Sequence, residues 1–252
     1  MKATDQLEDC VLWAGTSPID GNPIAAILTG INSPSNNSKT GDMPQVWIVR
    51  SDIHPVDALR SGGDFSICGN CPHRPKALGE KALSKAERTC YVNPMSFSGV
   101  YKKFAAGGYP MHTNLSQLAI DLEAAGKHIR LGAYGDPACI PLDILEAALS
   151  RVPTTGYTHR WRQCSPDYAA WCMASCETLE DIAAAKLLGY RVFYAAANPE
   201  QHDLSGRRLA TCPAAAESGK ATTCRKCMAC GGTRIQPHTG MAYTSLISIR
   251  LH

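Results

Sequence analysis

The chain has 252 residues and a mass of 27.0 kDa, with 44% hydrophobic and 19% charged residues. This composition excludes intrinsic disorder for most of the chain and predicts a compact, enzyme-like domain with a sizeable core. The formal net charge of +3 is too small to indicate a nucleic acid or a membrane as partner. No apolar stretch approaches the roughly 20 residues of a membrane span, and the amino terminus has no secretory pattern, so we expect a soluble, cytoplasmic protein.

The first part of the chain predicts strands followed by a long irregular segment. The apolar run 24–31 and the segment 45–50, QVWIVR, predict two strands with a polar loop between them. Residues 51–110 are rich in glycine, proline and lysine and show little periodicity, so we expect an irregular segment. A segment of this kind in a compact domain is usually functional or held by a metal.

From residue 113 onward, predicted helices and strands alternate. Asn114 or Thr113 caps a helix that Gly126 ends, and the strand IRLGAYG follows. Thr178 and Asp181 form a capping box for a later helix, which the strand RVFYAAA follows. Further elements are a helix over 142–150 and short strands at GYTHRW, at WCMASC and over 244–250.

This alternation predicts an α/β fold with a mostly parallel sheet covered by helices, either open or closed into a full or partial (β/α) barrel similar to a TIM barrel. Residues 1–198 are expected to form the α/β core. Residues 199–252 are expected to form a cysteine-rich, metal-stapled extension with a closing strand, packed on that core.

Twelve cysteines are the most unusual feature of the composition. Without a secretory signal they should remain reduced, which favours metal ligands over a disulfide framework. Seven of them fall into two groups, here called the early cysteines (Cys68, Cys71 and Cys90) and the late cysteines (Cys212, Cys224, Cys227 and Cys230). The other five are expected to be ordinary core residues: Cys10, Cys139, Cys164, Cys172 and Cys176.

The late cysteines carry the most specific signal in the sequence. Three thiolates at two-residue gaps can surround one compact centre, which suits a 4Fe–4S cluster with Cys212 as the fourth ligand. Zinc is the alternative, because the same four sulfurs could also hold one tetrahedral ion.

The early cysteines supply three ligands without an obvious fourth. They could hold a second 4Fe–4S cluster with one iron open to an exogenous ligand, or His73 could complete a zinc site. A third arrangement would join Cys68 and Cys71 with Cys227 and Cys230 in one zinc ribbon, which leaves the other grouped cysteines without a role.

Two predicted strand ends carry candidate catalytic and binding groups, because side chains at the carboxyl ends of parallel strands converge. Asp136 follows the strand IRLGAYG and is a candidate site residue or, equally, a helix cap. His159 and Arg160 follow the next strand and could bind an anionic or nucleotide-like group, with Tyr157 or Trp161 as a stacking surface. The alternative is that these aromatic residues line the inward face of the strand.

The motifs NSKTGDMPQVW, RLGAYGDP, TGYTHRW and CMAS, together with both cysteine groups, resemble a family of cysteine-rich proteins encoded by phages and mobile elements. More remotely, the order of elements is similar to radical S-adenosylmethionine enzymes. That resemblance implies a reactive cluster on the early cysteines, one iron of which binds S-adenosylmethionine. It also implies that Gly135 and Asp136 face this cofactor, with Tyr91 beside the cluster. The chain departs from the usual Cys-x3-Cys-x2-Cys, since eighteen residues separate Cys71 from Cys90.

The sequence therefore predicts an iron–sulfur enzyme, with S-adenosylmethionine as a candidate small-molecule cofactor and an unidentified substrate. The alternative is a zinc-stabilised structural or nucleic-acid-associated protein without catalysis, in which Lys102, Lys103, Arg207 and Arg208 touch phosphates. A metal-dependent hydrolase is a weaker third hypothesis, because zinc catalysis prefers clustered histidine and carboxylate ligands.

Overall fold

The computed structural model describes residues 7–33, 37–74, 89–90, 92, 94–234 and 245–250. The strands are β1 Cys10–Thr16, β2 Pro23–Thr29, β3 Gln45–Arg50, β4 Ile129–Tyr134, β5 Thr154–Thr155, β6 Tyr157–Thr158, β7 Met173–Cys176, β8 Val192–Ala196, β9 Ala210–Thr211 and β10 Ile247–Arg250. The α-helices are α1 Pro55–Ser61, α2 Phe65–Cys68, α3 Pro94–Ala105, α4 Leu115–Ala124, α5 Leu142–Leu149, α6 Leu179–Leu187 and α7 Cys224–Cys227.

The protein has a mixed α/β fold with two mostly parallel sheets, whose strand orders are β1-β2-β3-β4-β5 and β6-β7-β8-β10-β9. In the first sheet, β1, β2 and β3 pair antiparallel, whereas β4 pairs parallel with both β3 and β5. Every pairing in the second sheet is parallel. The α/β class and the mostly parallel pairing predicted from the sequence are confirmed.

The two sheets meet at Gly156, the single residue between β5 and β6. The strand pairs with β4 before this glycine and with β7 after it. The backbone N–H of Gly156 donates to the carbonyl oxygen of Cys230 at 3.0 Å, while its own carbonyl accepts from Met173. The parallel ladder therefore continues from β3 to β10 around this junction, and the described strands do not close into a barrel.

The two faces of the second sheet pack against different parts of the chain. Helix α6 packs on β7 and β8 and buries Ile182 and Ala185 in the main core. The opposite face contributes Met173, Phe193 and Ile247 to a smaller cluster that includes Cys212 and Cys230. The late cysteines thus lie on the face of this sheet that α6 leaves uncovered.

The segment 51–110 contains helices, contrary to the irregular structure expected for it. Helix α1 begins after His54, whose Nδ1 accepts from the backbone N–H of Val56, and α3 follows later. Phe97 of α3 is fully buried and packs against the rings of Trp47 and Tyr134. Burial of an aromatic face therefore stabilises a helix that the local sequence does not favour.

The carboxyl-terminal segment takes part in the second sheet. β10 pairs with β8 on one side and with β9 on the other, so residues 210–211 and 247–250 extend the ladder of the core. The predicted closing strand is confirmed over Ile247–Arg250. Within the described residues, no helix is both long enough and apolar enough to cross a membrane.

Candidate functional site

Three strand ends bring polar groups together at one edge of the sheets, here called the carboxyl edge. β4 is followed by Gly135 and Asp136, β6 by His159 and Arg160, and β7 by Glu177. These strands run parallel, so their carboxyl ends lie side by side. Asp136 and His159 each follow the end of a strand, as predicted, and their catalytic role stays a prediction.

Asp136 is almost fully buried, and both of its carboxylate oxygens accept hydrogen bonds from backbone N–H groups. Oδ1 accepts from Ala138 at 2.9 Å and caps the 3-10 helix Pro137–Cys139. Oδ2 accepts from His159 at 2.8 Å. The capping interpretation of Asp136 is confirmed, and the same side chain ties the end of β4 to the end of β6.

Gly135 lies where β4 passes very close to β3. Its φ is 75°, and a Cβ atom added there would lie 2.7 Å from the Cβ and 2.8 Å from the carbonyl oxygen of Ile48. No other residue type fits this left-handed conformation and close approach without strain. The geometry accounts for the glycine by itself, and its contact with a cofactor stays a prediction.

Arg160 and Trp161 are tied to the protein interior. Nη1 of Arg160 donates to the carbonyl oxygen of Ala138 at 2.9 Å and lies 3.6 Å from Sγ of Cys139. Trp161 is 2% exposed, and its Nε1 donates to the carbonyl oxygen of Ser175. The proposed stacking surface on Trp161 is therefore wrong, because that ring has no free face for a ligand.

The early cysteines lie beside the carboxyl edge. Burial raises the pKa of Cys68 well above its usual value, and the negative charges of Asp64 and of the other two early cysteines add to the rise. The three thiols are thus within electrostatic reach of one another. Arg74 fixes the turn that carries Cys68 and Cys71, since it donates to the carboxylate of Asp64 and to the carbonyl oxygens of Gly62 and Gly69.

Two histidines and one carboxylate meet next to these thiols. Nε2 of His159 lies 3.0 Å from Oε1 of Glu177, and Nε2 of His73 lies 3.4 Å from the same oxygen. The two imidazole rings stand nearly edge to face, with centroids 5.4 Å apart. Nδ1 of His73 is 2.7 Å from Oγ1 of Thr89. These three side chains are called the His–His–Glu group below.

Hydrogen bonds within and beside this group favour the charged forms of His159 and Glu177. Burial alone would lower the pKa of His159, but hydrogen bonds with Cys71 and Glu177 outweigh it and raise the pKa to about 10. Burial would likewise raise the pKa of Glu177, but hydrogen bonds with His159 and His73 lower it to about 2. His159 therefore connects the carboxylate to one of the early cysteines.

Cys224 and Cys230 lie at the opposite edge of the sheets, and Cys212 directly follows β9. The N–H of Cys224 donates to the carbonyl oxygen of Lys39, ahead of β3, and the N–H of Cys212 donates to Ser248 in β10. Burial raises the pKa of Cys230 to about 12; a hydrogen bond with Tyr157 counters this effect, and the other late cysteines add to it.

Two cationic side chains and a buried arginine accompany the late cysteines. Burial raises the pKa of Cys224, while the nearby positive charges of Arg130 and Lys39 partly offset the rise. Arg191, which precedes β8, donates to the backbone carbonyls of Ala229, Gly231 and Ser245 and so fixes the cysteine-rich segment on the sheet. The late cysteines thus combine buried thiols with nearby positive charge.

Residues beside the two cysteine groups lie near opposite ends of β4. The late cysteines lie near the start of β4, where Nδ1 of His128 contacts the carbonyl oxygen of Arg225, and the early cysteines lie near its end, where the N–H of Asp136 donates to Ile67. A strand of six residues spans about 17–20 Å. This separation argues against the single zinc ribbon that would join the groups.

The sulfurs within each group are not closely packed. In the described part of the chain, which includes all twelve cysteines, no three sulfurs lie within 4.8 Å of one another, and no disulfide joins any pair. The five scattered cysteines behave largely as expected: four are buried in the core, and Cys164 is half-buried, with its Sγ 3.4 Å from the hydroxyl oxygen of Tyr190.

The chain matches no protein-family model, no curated protein and no solved structure. The arrangement of its own residues is therefore the basis for any functional conclusion.

Sequence reasoning missed Glu177 and Thr89. Glu177 directly follows the strand CMASC, so the strand-end rule applied to Asp136 would have identified it. Thr89 carries no such signal, because only the folding of the early segment brings it to His73. The cofactor-binding prediction for Tyr91 lies outside the described residues.

Proposed function

We propose that the protein is an iron–sulfur enzyme with one cluster site at each edge of the sheets. The early cysteines would hold a 4Fe–4S cluster with one open iron, and the late cysteines a second cluster with four thiolate ligands. One observation carries the proposal: three thiols gather beside the carboxyl edge, where parallel α/β enzymes place their reactive groups.

The electrostatics of the thiols support metal ligation. Burial and neighbouring thiols raise the pKa of Cys68 and Cys230, so both would be poor thiolates in a metal-free protein. A bound metal deprotonates such thiols and compensates their charge, so binding and folding become coupled. Burial also raises the pKa of the scattered Cys139 and Cys172, so the spacing of the grouped cysteines in the sequence is what marks them as ligands.

A cluster and a single zinc ion need different spacings of the cysteine sulfurs. Four Zn–S bonds of about 2.3 Å place tetrahedral sulfurs about 3.8 Å apart. A 4Fe–4S cluster places an iron between each cysteine sulfur and the centre, so its sulfurs lie farther apart. Among the described cysteines no three sulfurs lie within 4.8 Å of one another, so a compact tetrahedral zinc site is not preformed.

The similarity to radical S-adenosylmethionine enzymes suggests the cofactor for the open iron. The parallel ladder from β3 to β10 supports this comparison, because it carries the early cysteines after its first strand and Gly135 after its second. S-adenosylmethionine bound to such a cluster supplies one-electron radical chemistry. The protein itself would contribute Asp136, which holds two strand ends together, and His159, which hydrogen-bonds an early cysteine.

Metal analysis of anaerobically purified protein tests the cluster proposal. We expect a brown protein with broad visible absorbance and about eight irons per chain, as for two 4Fe–4S clusters. Cys68→Ala and Cys224→Ala should each remove about half of the iron, whereas the matched control Cys176→Ala should keep all of it. A colourless protein that contains zinc alone would refute the clusters and leave the zinc-stabilised binding protein as the better hypothesis.

The radical S-adenosylmethionine step needs a separate test. After reduction of the protein, added S-adenosylmethionine should change the electron paramagnetic resonance spectrum of the early cluster. Cys224→Ala should retain this change and Cys68→Ala should lose it. Clusters that are present but insensitive to S-adenosylmethionine would disprove the cofactor while leaving the iron–sulfur assignment in place.

A further inference from the structure

The His–His–Glu group brings three metal-ligating side chains from separate parts of the chain to one point. His73 comes from the turn after α2, His159 from the end of β6 and Glu177 from the end of β7. One ligand atom from each side chain lies within 4.8 Å of the other two. Among the described residues, no other combination of histidine, cysteine and acidic side chains meets this condition.

The separations within the group are those of ligands around one ion. A tetrahedral ion with bonds of about 2.0–2.1 Å places neighbouring ligand atoms about 3.3 Å apart. The two Nε2 atoms lie 3.0 Å and 3.4 Å from Oε1 of Glu177. A small adjustment of the side chains, with release of the proton that His159 carries in the metal-free protein, is therefore enough to surround a cation.

The hydrogen bonds of His73 favour a metal ligand at its other ring nitrogen. When Nδ1 donates to Oγ1 of Thr89, Nε2 carries the lone pair. That nitrogen is buried, and the acceptor it faces is the carboxylate oxygen of Glu177 at 3.4 Å. Two acceptor atoms in this position repel each other unless a proton or a metal cation lies between them.

We propose that His73, His159 and Glu177 bind one divalent transition-metal ion, separate from the ions held by the cysteines. Two imidazole nitrogens and one carboxylate oxygen suit Zn²⁺ and Fe²⁺. Three protein ligands leave a position for water or substrate, as in catalytic metal sites. The site lies at the carboxyl edge, so a substrate oxygen or nitrogen bound to this ion would be held beside the early cysteines.

Equilibrium dialysis of the full-length, anaerobically purified protein tests this site. After brief treatment with a chelator, the protein is titrated separately with Zn²⁺, Fe²⁺ and Co²⁺, and bound metal and cluster iron are measured in the same samples. We expect one additional equivalent of ion per chain. Glu177→Gln and His73→Gln should weaken its binding by more than about 100-fold, because each removes a ligand. The matched controls Glu180→Gln and His202→Gln should bind like the unmodified protein.

The hydroxyl of Thr89 provides a finer test of the predicted geometry. Thr89→Val removes the hydrogen bond that orients His73 but leaves all three ligands, so we expect about 10–100-fold weaker binding. Co²⁺ bound to nitrogen and oxygen ligands should show visible d–d bands without the intense near-ultraviolet charge transfer of a thiolate ligand.

Two results would overturn the proposal. One is the absence of an additional equivalent of any of the three ions. The other is binding that survives both Glu177→Gln and His73→Gln, or that shows thiolate charge transfer, since the ion would then lie on the cysteines. Cluster iron is counted separately, so failure of this site and failure of the iron–sulfur proposal give different results. Circular dichroism establishes that each variant is folded before its binding is interpreted.

Discussion

Replacement of Asp136 tests whether this side chain holds two strand ends together. Its carboxylate accepts from the N–H of Ala138 at 2.9 Å and from the N–H of His159 at 2.8 Å, in a nearly solvent-free position. Asp136→Ala would leave both N–H groups without an acceptor. Asp136→Asn would keep one acceptor oxygen for the cap but would turn an amide donor toward the other N–H.

The structure sets the size of the expected effect. Loss of a side-chain cap costs about 0.5–2 kcal/mol, and a buried hydrogen bond to a charged group contributes about 1.5–3 kcal/mol. Asp136→Ala should therefore lower the free energy of unfolding by about 2–5 kcal/mol. Asp136→Asn should lower it by about 1–3 kcal/mol, since the cap remains.

Urea unfolding of samples with equal metal content measures these differences. Asp143→Asn is the matched control, because Asp143 is an exposed acidic residue at the start of α5. An unfolding free energy for Asp136→Ala within about 0.5 kcal/mol of the unmodified protein, the range of ordinary surface substitutions, would refute the reasoning.

Three further predictions concern other parts of the fold. Gly135→Ala should cost about 2–5 kcal/mol in urea unfolding, because φ is 75° and the new Cβ would lie 2.7 Å from that of Ile48; an unchanged midpoint would contradict this. Burial would raise the pKa of Asp203, but the ammonium of Lys186 at 2.9 Å and nearby hydroxyl and N–H groups lower it below its ordinary 3.8. Asp203 thus stabilises the protein above about pH 4 and loses this effect on acidification, so thermal melting should show less acid sensitivity in Asp203→Asn; equal sensitivity would argue against it. Arg191→Met should destabilise the fold by at least about 3 kcal/mol and speed thiol labelling of the late cysteines, since three backbone carbonyls lose a charged donor; labelling at the original rate would count against this role.

Local signals in the sequence predicted much of the second half of the fold. The Asn114 cap and the capping box of Thr178 and Asp181 are both present, with the expected side-chain to backbone hydrogen bonds. The strands IRLGAY and QVWIVR have the expected positions. These elements depend on caps, glycines and apolar runs within a few residues, which a single sequence contains.

Elements that depend on distant contacts were harder to predict. Helix α3 contains Gly99 and is stabilised by the burial of Phe97 against β3 and β4. The antiparallel strand β1 gave no clear signal, and the strand predicted at GYTHRW covers only Tyr157–Thr158, directly after Gly156. In each case the decisive interactions lie far away in the chain.

For the candidate site, too, local signals could be predicted from the sequence and distant contacts could not. The cysteine spacing indicated two groups, and the strand-end rule located Asp136 and His159. Neither signal indicated that His73 would lie against Glu177, because more than a hundred residues separate them in the chain. Such a contact follows from the pairing of the sheets and the path of the early loop.

The hydrogen bond between Gly156 and Cys230 gives the late cysteines influence over a distant part of the molecule. It fixes the residue at which one sheet passes into the next, and His159 follows only three positions later. Disorder of the late segment would release this junction and, with it, the alignment of the histidine across the fold. Folding of the protein would then have a preferred order, in which the segment of the late cysteines becomes ordered before the carboxyl edge acquires its final structure.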